Sequence, residues 1–231
     1  MPRRTRRDER RRSLGQNFLH DQSVVADVIG TLHPPPGSLV VDLGAGAGAL
    51  TSAVAARDAR VIAVELDPAW TQVLRSRAPS WGDVTVVAGD ALRVPFPAER
   101  FYVVSSAPYA IGTKLVRRVL TDAHGLVRAV FVLQRSAALR LAHDGRFAAS
   151  WAPWYELRVH GRIPARAFRP VPSVESAILT VVPRAVPLLS PAAFKGYESF
   201  LTRVFSGRAA TRSNLPPDAY ARAFRELRPR W

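Results

Sequence analysis

Beginning at Asp21, apolar residues recur with a helical period at Val24, Val25, Val28, Ile29 and Leu32, and Pro34, Pro35, Pro36 and Gly37 end the pattern. The next apolar stretch is short and β-branched: Leu39, Val40 and Val41 predict a strand that runs into a glycine-rich turn, after which residues 50–56 resume helical spacing. The same unit then repeats. Residues 61–64 predict a strand, Asp67 and Pro68 an N-cap and first helical position, and residues 70–77 the helix. Further buried strands are expected at residues 84–87, 101–104 and 129–133, with helices at 114–120 and 136–141.

Strands alternating with helices imply an α/β fold with a mostly parallel sheet covered on both faces, and such sheets bind ligands at the carboxyl ends of their strands. Residues 155–163 and 176–182 have no convincing helix between them, which predicts an antiparallel hairpin at one edge of the sheet. Prolines at 183, 187 and 191 mark a boundary, and residues 192–205 and 218–227 beyond it read as two short basic helices, too few for an independent core. The expected organisation is a basic disordered tail over residues 1–12, a main domain over 13–186 and a small helical domain over 187–231. No internal repeat is visible.

Charge changes the picture more than hydropathy does. Lys and Arg total 33 against 18 Asp and Glu, a formal net charge of +15, and arginines crowd both ends of the chain. Such an excess predicts a polyanionic partner, with nucleic acid the natural choice. The chain contains no cysteine, and its five histidines are too scattered to form a local ligand cluster, so neither a disulfide framework nor a metal centre is expected. No apolar stretch is long enough to cross a bilayer, and the N-terminal run is arginine rather than apolar. A cytoplasmic, metal-independent protein is the expectation.

Candidate chemistry sits at predicted strand ends. Asp42, Leu43, Gly44, Ala45, Gly46, Ala47 and Gly48 follow a strand and precede a helix, where glycines permit a tight turn and close backbone approach to a ligand. The Gly-x-Gly-x-Gly spacing differs from the dinucleotide fingerprint and points to another nucleoside cofactor. Glu65 ends the second strand, where an acid can accept both ribose hydroxyls. Asp90, between Gly89 and Ala91 at the end of the third, is placed to accept from an adenine amine. Ser105, Ser106, Ala107, Pro108 and Tyr109 close the run at 101–104 with polar residues, a proline and an aromatic, a layout suited to gripping an exocyclic amine and stacking on a planar base.

Taken in order, Ser13-Leu14-Gly15-Gln16-Asn17-Phe18-Leu19, the glycine loop, Val64-Glu65-Leu66-Asp67, Gly89-Asp90-Ala91, Pro108-Tyr109 and Phe168-Arg169-Pro170-Val171-Pro172-Ser173-Val174 resemble the motifs of the rRNA adenine N6-methyltransferases. The resemblance covers nearly the whole chain. It implies a Rossmann-like S-adenosylmethionine-dependent methyltransferase sheet with a small C-terminal helical RNA-binding domain. Asn17 and Leu19 would contact the cofactor with Gln16 nearby, Gly44 and Gly46 would line its methionine side, Glu65 would hold the ribose, and Asp90 beside Ala91 the adenine. Residues 151–156 and 163–168 are closer to the Erm branch, which modifies large-subunit rRNA and confers macrolide, lincosamide and streptogramin B resistance. The housekeeping small-subunit dimethyladenosine transferases and a catalytically weakened rRNA-binding relative remain the alternatives. The implied partner is large-subunit rRNA before full ribosome assembly, met by a monomer with no membrane contact.

Methyl transfer from a sulfonium to an adenine amine is an in-line displacement that requires no metal. Orientation in a dry site can contribute on the order of 7 to 11 kcal/mol. Ser106 Oγ and the Ala107 carbonyl are the candidate acceptors for the amine N–H bonds, beside Pro108, and Ser106 would also border the cofactor. Tyr109 would stack on the target base, worth roughly 1 to 3 kcal/mol. Most members of the family carry Asn where this chain has Ser106, and Ile, Leu or Pro where it has Ala107. The shorter hydroxyl implies reduced or altered activity that favours one methyl over two.

Overall fold

The computed structural model describes residues 17–143, 145–208 and 214–227. Gln16 and the tail expected over residues 1–12 lie outside the described residues.

A two-residue strand, β1 (Phe18–Leu19), leads into α1 (Gln22–Leu32). Asp21 caps that helix by accepting from the Ser23 backbone N–H at 3.0 Å and the Ser23 hydroxyl at 2.6 Å, while all five periodic apolar residues are buried. Alternation follows as β2 (Leu39–Leu43), α2 (Ala49–Ala55), β3 (Arg60–Glu65), α3 (Pro68–Arg77), β4 (Val84–Ala88), β5 (Phe101–Ser105), α4 (Tyr109–Asp122) and β6 (Leu126–Gln134). Helices α5 (Arg135–His143) and α6 (Gly145–Trp151) precede β7 (Tyr155–Ile163), the short β8 (Phe168–Arg169) and β9 (Ser176–Pro183). The described chain ends with α7 (Phe194–Phe205) and α8 (Pro217–Leu227).

The main sheet has seven strands in the order β4-β3-β2-β5-β6-β9-β7. β4 through β6 are mutually parallel, whereas β9 pairs antiparallel with both β6 and β7. This is a Rossmann-like sheet with the expected hairpin at one edge. Strand order reverses between β2 and β5, so the loops leaving these neighbours diverge and leave a crevice at their carboxyl ends.

Period-two side-chain alternation divides the core cleanly. Val41 of β2, Val103 of β5 and Phe131 of β6 pack with Leu115 and Val119 of α4 on one face. Val40, Val104 and Val130 pack with Val28 and Ile29 of α1 on the other. β4 departs from expectation: it lies at the sheet edge and is only half-buried. Helix α4 also begins earlier than the spacing at 114–120 predicts, with Tyr109 as its first residue. Besides β1, two further elements lacked a sequence signal. They are α6, too short to show a period, and β8, which pairs antiparallel with β1 and ties residues 168–169 to the start of the described chain.

Helices α7 and α8 bury Tyr197, Phe200, Leu201, Tyr220 and Phe224 together with Ala149 of α6. The pair therefore completes its core with a residue from before β7. Arg184 joins the parts, donating to the Ala152 carbonyl at 2.7 Å and pairing with Glu156 of β7 and Asp218 of α8.

Phe101 is fully buried at the start of β5, so Phe101→Ala is expected to cost roughly 3 to 5 kcal/mol. Asp21→Ala removes a solvent-exposed cap and is expected to cost far less. Urea unfolding of the two variants, compared at equal slope, checks the ratio.

Candidate active site

At the carboxyl ends of β2, β3, β4 and β5 lies a cavity of about 380 Å3 whose wall includes Asn17, Leu19, Gly44, Gly46, Glu65, Asp90, Ala91 and Ser106. Residues separated by nearly ninety positions therefore share one concave surface. Parallel pairing across the switch point causes this, because it brings the four loops that follow these strands to one end of the sheet.

The loop after β2 is shaped by glycine where the backbone has no room for a side chain. Gly44 has φ of +78°, and a Cβ there would stand 2.9 Å from Ala107 Cβ; Gly46 has φ of +55°, and its Cβ would meet the Phe18 ring at 3.0 Å. Glu65 holds this loop from β3. Its carboxylate accepts from Gly46 N–H at 2.7 Å and from Asp67 N–H at 2.8 Å, one bond to each oxygen. A carboxylate offers about four acceptor positions, so each oxygen keeps capacity for a ligand hydroxyl.

Asp42 carries the least satisfied group of the site. Its Oδ2 accepts from the Thr51 hydroxyl at 2.6 Å, while Oδ1 is buried with no hydrogen-bond partner among the described residues. Burial pushes the carboxyl up to about 7; the Thr51 hydrogen bond opposes that rise and the Glu65 charge adds to it. A buried acceptor without a partner in a cavity wall is a place for a ligand's donor or cation.

Asp90 sits in the turn after β4, where Oδ1 accepts from Leu92 N–H at 2.8 Å and Oδ2 lies 3.5 Å from the Arg93 guanidinium. Ala91 is buried beneath it. Leu66, next to Glu65, is 62% exposed yet borders the same cavity, offering an apolar cover for a planar ring.

The turn after β5 divides its residues. Ser106 and Pro108 border the cavity, and the Ser106 hydroxyl has no partner among the described residues. Ala107 is buried outside the cavity lining, with its Cβ against Gly44, so only its backbone is left to contribute polar contact. Tyr109 is also absent from the lining. As the first residue of α4 it is half-buried, with its hydroxyl 2.6 Å from Ser176 Oγ and its ring edge-on to Phe168 at 6.4 Å. Burial raises the phenol above its ordinary range, against the Ser176 hydrogen bond. Tyr109 is thus a tethered ring beside the site rather than a free ring within it.

Sequence reasoning placed Asp42 at the head of the glycine loop but assigned it no role, and it passed over Phe18, Leu66 and Ile111, which also border the cavity. Phe18 and Leu66 lie inside the quoted motifs, each beside an assigned residue, and an apolar side chain flanking a strand-end acid was the available signal. Charge was read at the chain ends, but exposed arginines also occur near Tyr109. Arg135 follows Gln134, whose partner in the sheet is Ser176, and Arg169 follows Phe168. Among the described residues no group of three or more His, Cys, Asp or Glu is placed to hold a metal ion. No described helix is long and apolar enough to cross a membrane.

The chain is similar to proteins of known family. The chain is 38% identical over 219 residues to the mycinamicin-resistance protein MyrB of Micromonospora griseorubida, covering 89% of this chain and 68% of that protein. It is 36% identical over 212 residues to a probable ribosomal RNA small subunit methyltransferase A of Pyrobaculum aerophilum, covering 89% of this chain and 88% of that protein. The structure of the 23S rRNA methyltransferase ErmE superposes with a TM-score of 0.83 at 29% identity, covering 91% of this chain and 99% of that chain. The chain spans between 54% and 78% of the length of the Micromonospora, Streptomyces and Saccharopolyspora relatives that it matches. The model of the ribosomal RNA adenine dimethylase family matches residues 7–224, so the chain belongs to that family.

Proposed function

We propose that this chain methylates N6 of an adenine in large-subunit ribosomal RNA, using S-adenosylmethionine, and so protects ribosomes against macrolide-type antibiotics. One observation carries the reading: the Ser106 hydroxyl opens, without a partner, onto the same cavity as the glycine loop, Glu65 and Asp90. Similarity to a mycinamicin-resistance protein and to ErmE supports the large-subunit target and the resistance phenotype.

The residues fit the cofactor. When bound, S-adenosylmethionine supplies an electrophilic methyl on a sulfonium beside an amino-acid tail. The unpartnered Asp42 Oδ1 would take the tail's ammonium, Gly44 and Gly46 would let backbone approach it, and Asn17 and Leu19 would close the wall. Glu65 would use its remaining acceptor positions on the ribose hydroxyls, and Asp90 would accept from the adenine amine above Ala91.

On the acceptor side, Ser106 Oγ and the Ala107 carbonyl would take the two N–H bonds of the target amine, turning its lone pair toward the methyl. Pro108 fixes the rim, and Tyr109 would stack on the extruded base, braced by Ser176. Extrusion and stacking are of similar magnitude, a few kcal/mol each, so a braced ring is enough to balance the cost. Arg135, Arg169 and the arginine-rich chain ends would neutralise phosphates without reading sequence. The enzyme acts as a monomer in the cytoplasm, on rRNA not yet fully assembled into ribosomes.

Labelled-methyl transfer to deproteinised rRNAs, followed by mass mapping, is expected to mark one adenine of the large-subunit RNA. Label confined to small-subunit RNA would overturn the substrate, and signal no higher than that of Tyr109→Ala on both RNAs would overturn catalysis. The product is expected to be mainly monomethylated, since after the first transfer a single N–H remains for the short Ser106 hydroxyl to orient; Ser106→Asn should raise the dimethyl fraction.

Asp42 provides a pH signature. A carboxyl raised to about 7 in the folded protein contributes stability that is full below its unfolded value of 3.8 and is lost as pH rises through 7. Cofactor binding has the opposite sign, because a cation favours the carboxylate. Affinity for S-adenosylmethionine is therefore expected to climb below pH 7, by up to about tenfold per unit, and to level off above it. Titration calorimetry at pH 6 in buffers of different ionisation enthalpy should show proton release, absent in Asp42→Asn.

A further inference from the structure

Asp90 stands on an irregular segment between β4 and β5, and one side chain from α4 holds that segment. Within the turn, Asp90 uses its own atoms: Oδ1 accepts from Leu92 N–H, and its carbonyl accepts from Arg93 N–H at 2.8 Å and Val94 N–H at 3.0 Å. Two further carbonyls of the segment are taken by Arg118, whose guanidinium donates to the Ala91 carbonyl at 2.6 Å and to the Val94 carbonyl. The same guanidinium lies 4.0 Å over the Phe96 ring, which stacks on Phe101 of the sheet, and 3.9 Å from Asp122. Only 11% of the Arg118 side chain is exposed.

We infer that Arg118 is a positioning residue that sets Asp90 for recognition of the cofactor's adenine amine. This rests on the reading of Asp90 as the acceptor for that amine. The planar fork makes two carbonyl bonds and one stacking contact at once, which a lysine cannot reproduce. It also links the two halves of the reaction mechanically, because α4 begins at Tyr109 and borders the cavity at Ala110 and Ile111. Buried charge in such a place costs desolvation, and burial does push the guanidinium below its ordinary range. Its role is served only if the turn must not move.

The test compares binding of S-adenosylhomocysteine with that of S-inosylhomocysteine, whose ring carries a carbonyl in place of the amine. The wild-type chain should prefer the adenosyl compound, and Asp90→Asn should lose most of the preference. Arg118→Ala is expected to weaken adenosyl binding about tenfold while leaving inosyl binding nearly unchanged, and to be non-additive with Asp90→Asn. Arg118→Lys, which keeps the charge and one donor, should fall between and serves if the alanine variant does not fold. Equal weakening of both compounds in either variant would overturn the inference and make Arg118 merely structural. Absence of any adenosyl preference in the wild-type chain would instead overturn the role of Asp90.

Discussion

The site depends on one constraint: loops from four parallel strands must be held at a common end of the sheet while leaving a gap between them. Glu65 meets much of it, because a single buried carboxylate accepts one N–H from the loop after β2 and one from the start of the segment leading to α3. Ser105 does the same on the other side of the switch point, donating its hydroxyl to the Leu43 carbonyl at 2.7 Å. The two bonds to the Glu65 carboxylate are charge-assisted and worth roughly 1.5 to 3 kcal/mol each. They also offset the cost of burying the carboxylate, which would otherwise be large.

Around that frame the polar groups differ in how completely they are satisfied. Thr51 and Ser105 have their partners. Asp42 Oδ1 and the Ser106 hydroxyl have none among the described residues, and both border the cavity. Incomplete satisfaction in a cavity wall has a thermodynamic reading: the protein bears a desolvation cost in the free state that a ligand's donors remove on binding. One of these groups lies on β2 and the other just after β5, on either side of the switch point.

The small helical unit and the edge hairpin serve the same constraint from a distance. β9 supplies Ser176 to brace Tyr109, β8 ties Phe168 to the N-terminal segment that lines the cavity, and Arg184 fastens α8 to the hairpin and the end of α6. Ser176, Phe168, Arg184 and Asp218 themselves lie outside the cavity lining. They fix the angle at which the rim of the site is presented.

Read alone, the sequence determined the alternation of strands and helices, the edge hairpin, and the glycine loop with Glu65 and Asp90. These depend on local periodicity and on residue types with narrow backbone preferences, which survive without knowledge of neighbours. It also located Ser106 at a strand end, because a β-branched run closed by serines and a proline is a local signal. Only the tertiary structure decided that Ala107 packs on Gly44, that Tyr109 is bound to Ser176 across 67 positions, that Asp42 is left with an unpartnered oxygen, and that Arg118 grips the turn carrying Asp90. Each is a contact between elements far apart in the chain. Partnership of that kind follows from sheet order and helix placement, and no local pattern encodes which hydrogen bond a side chain will find.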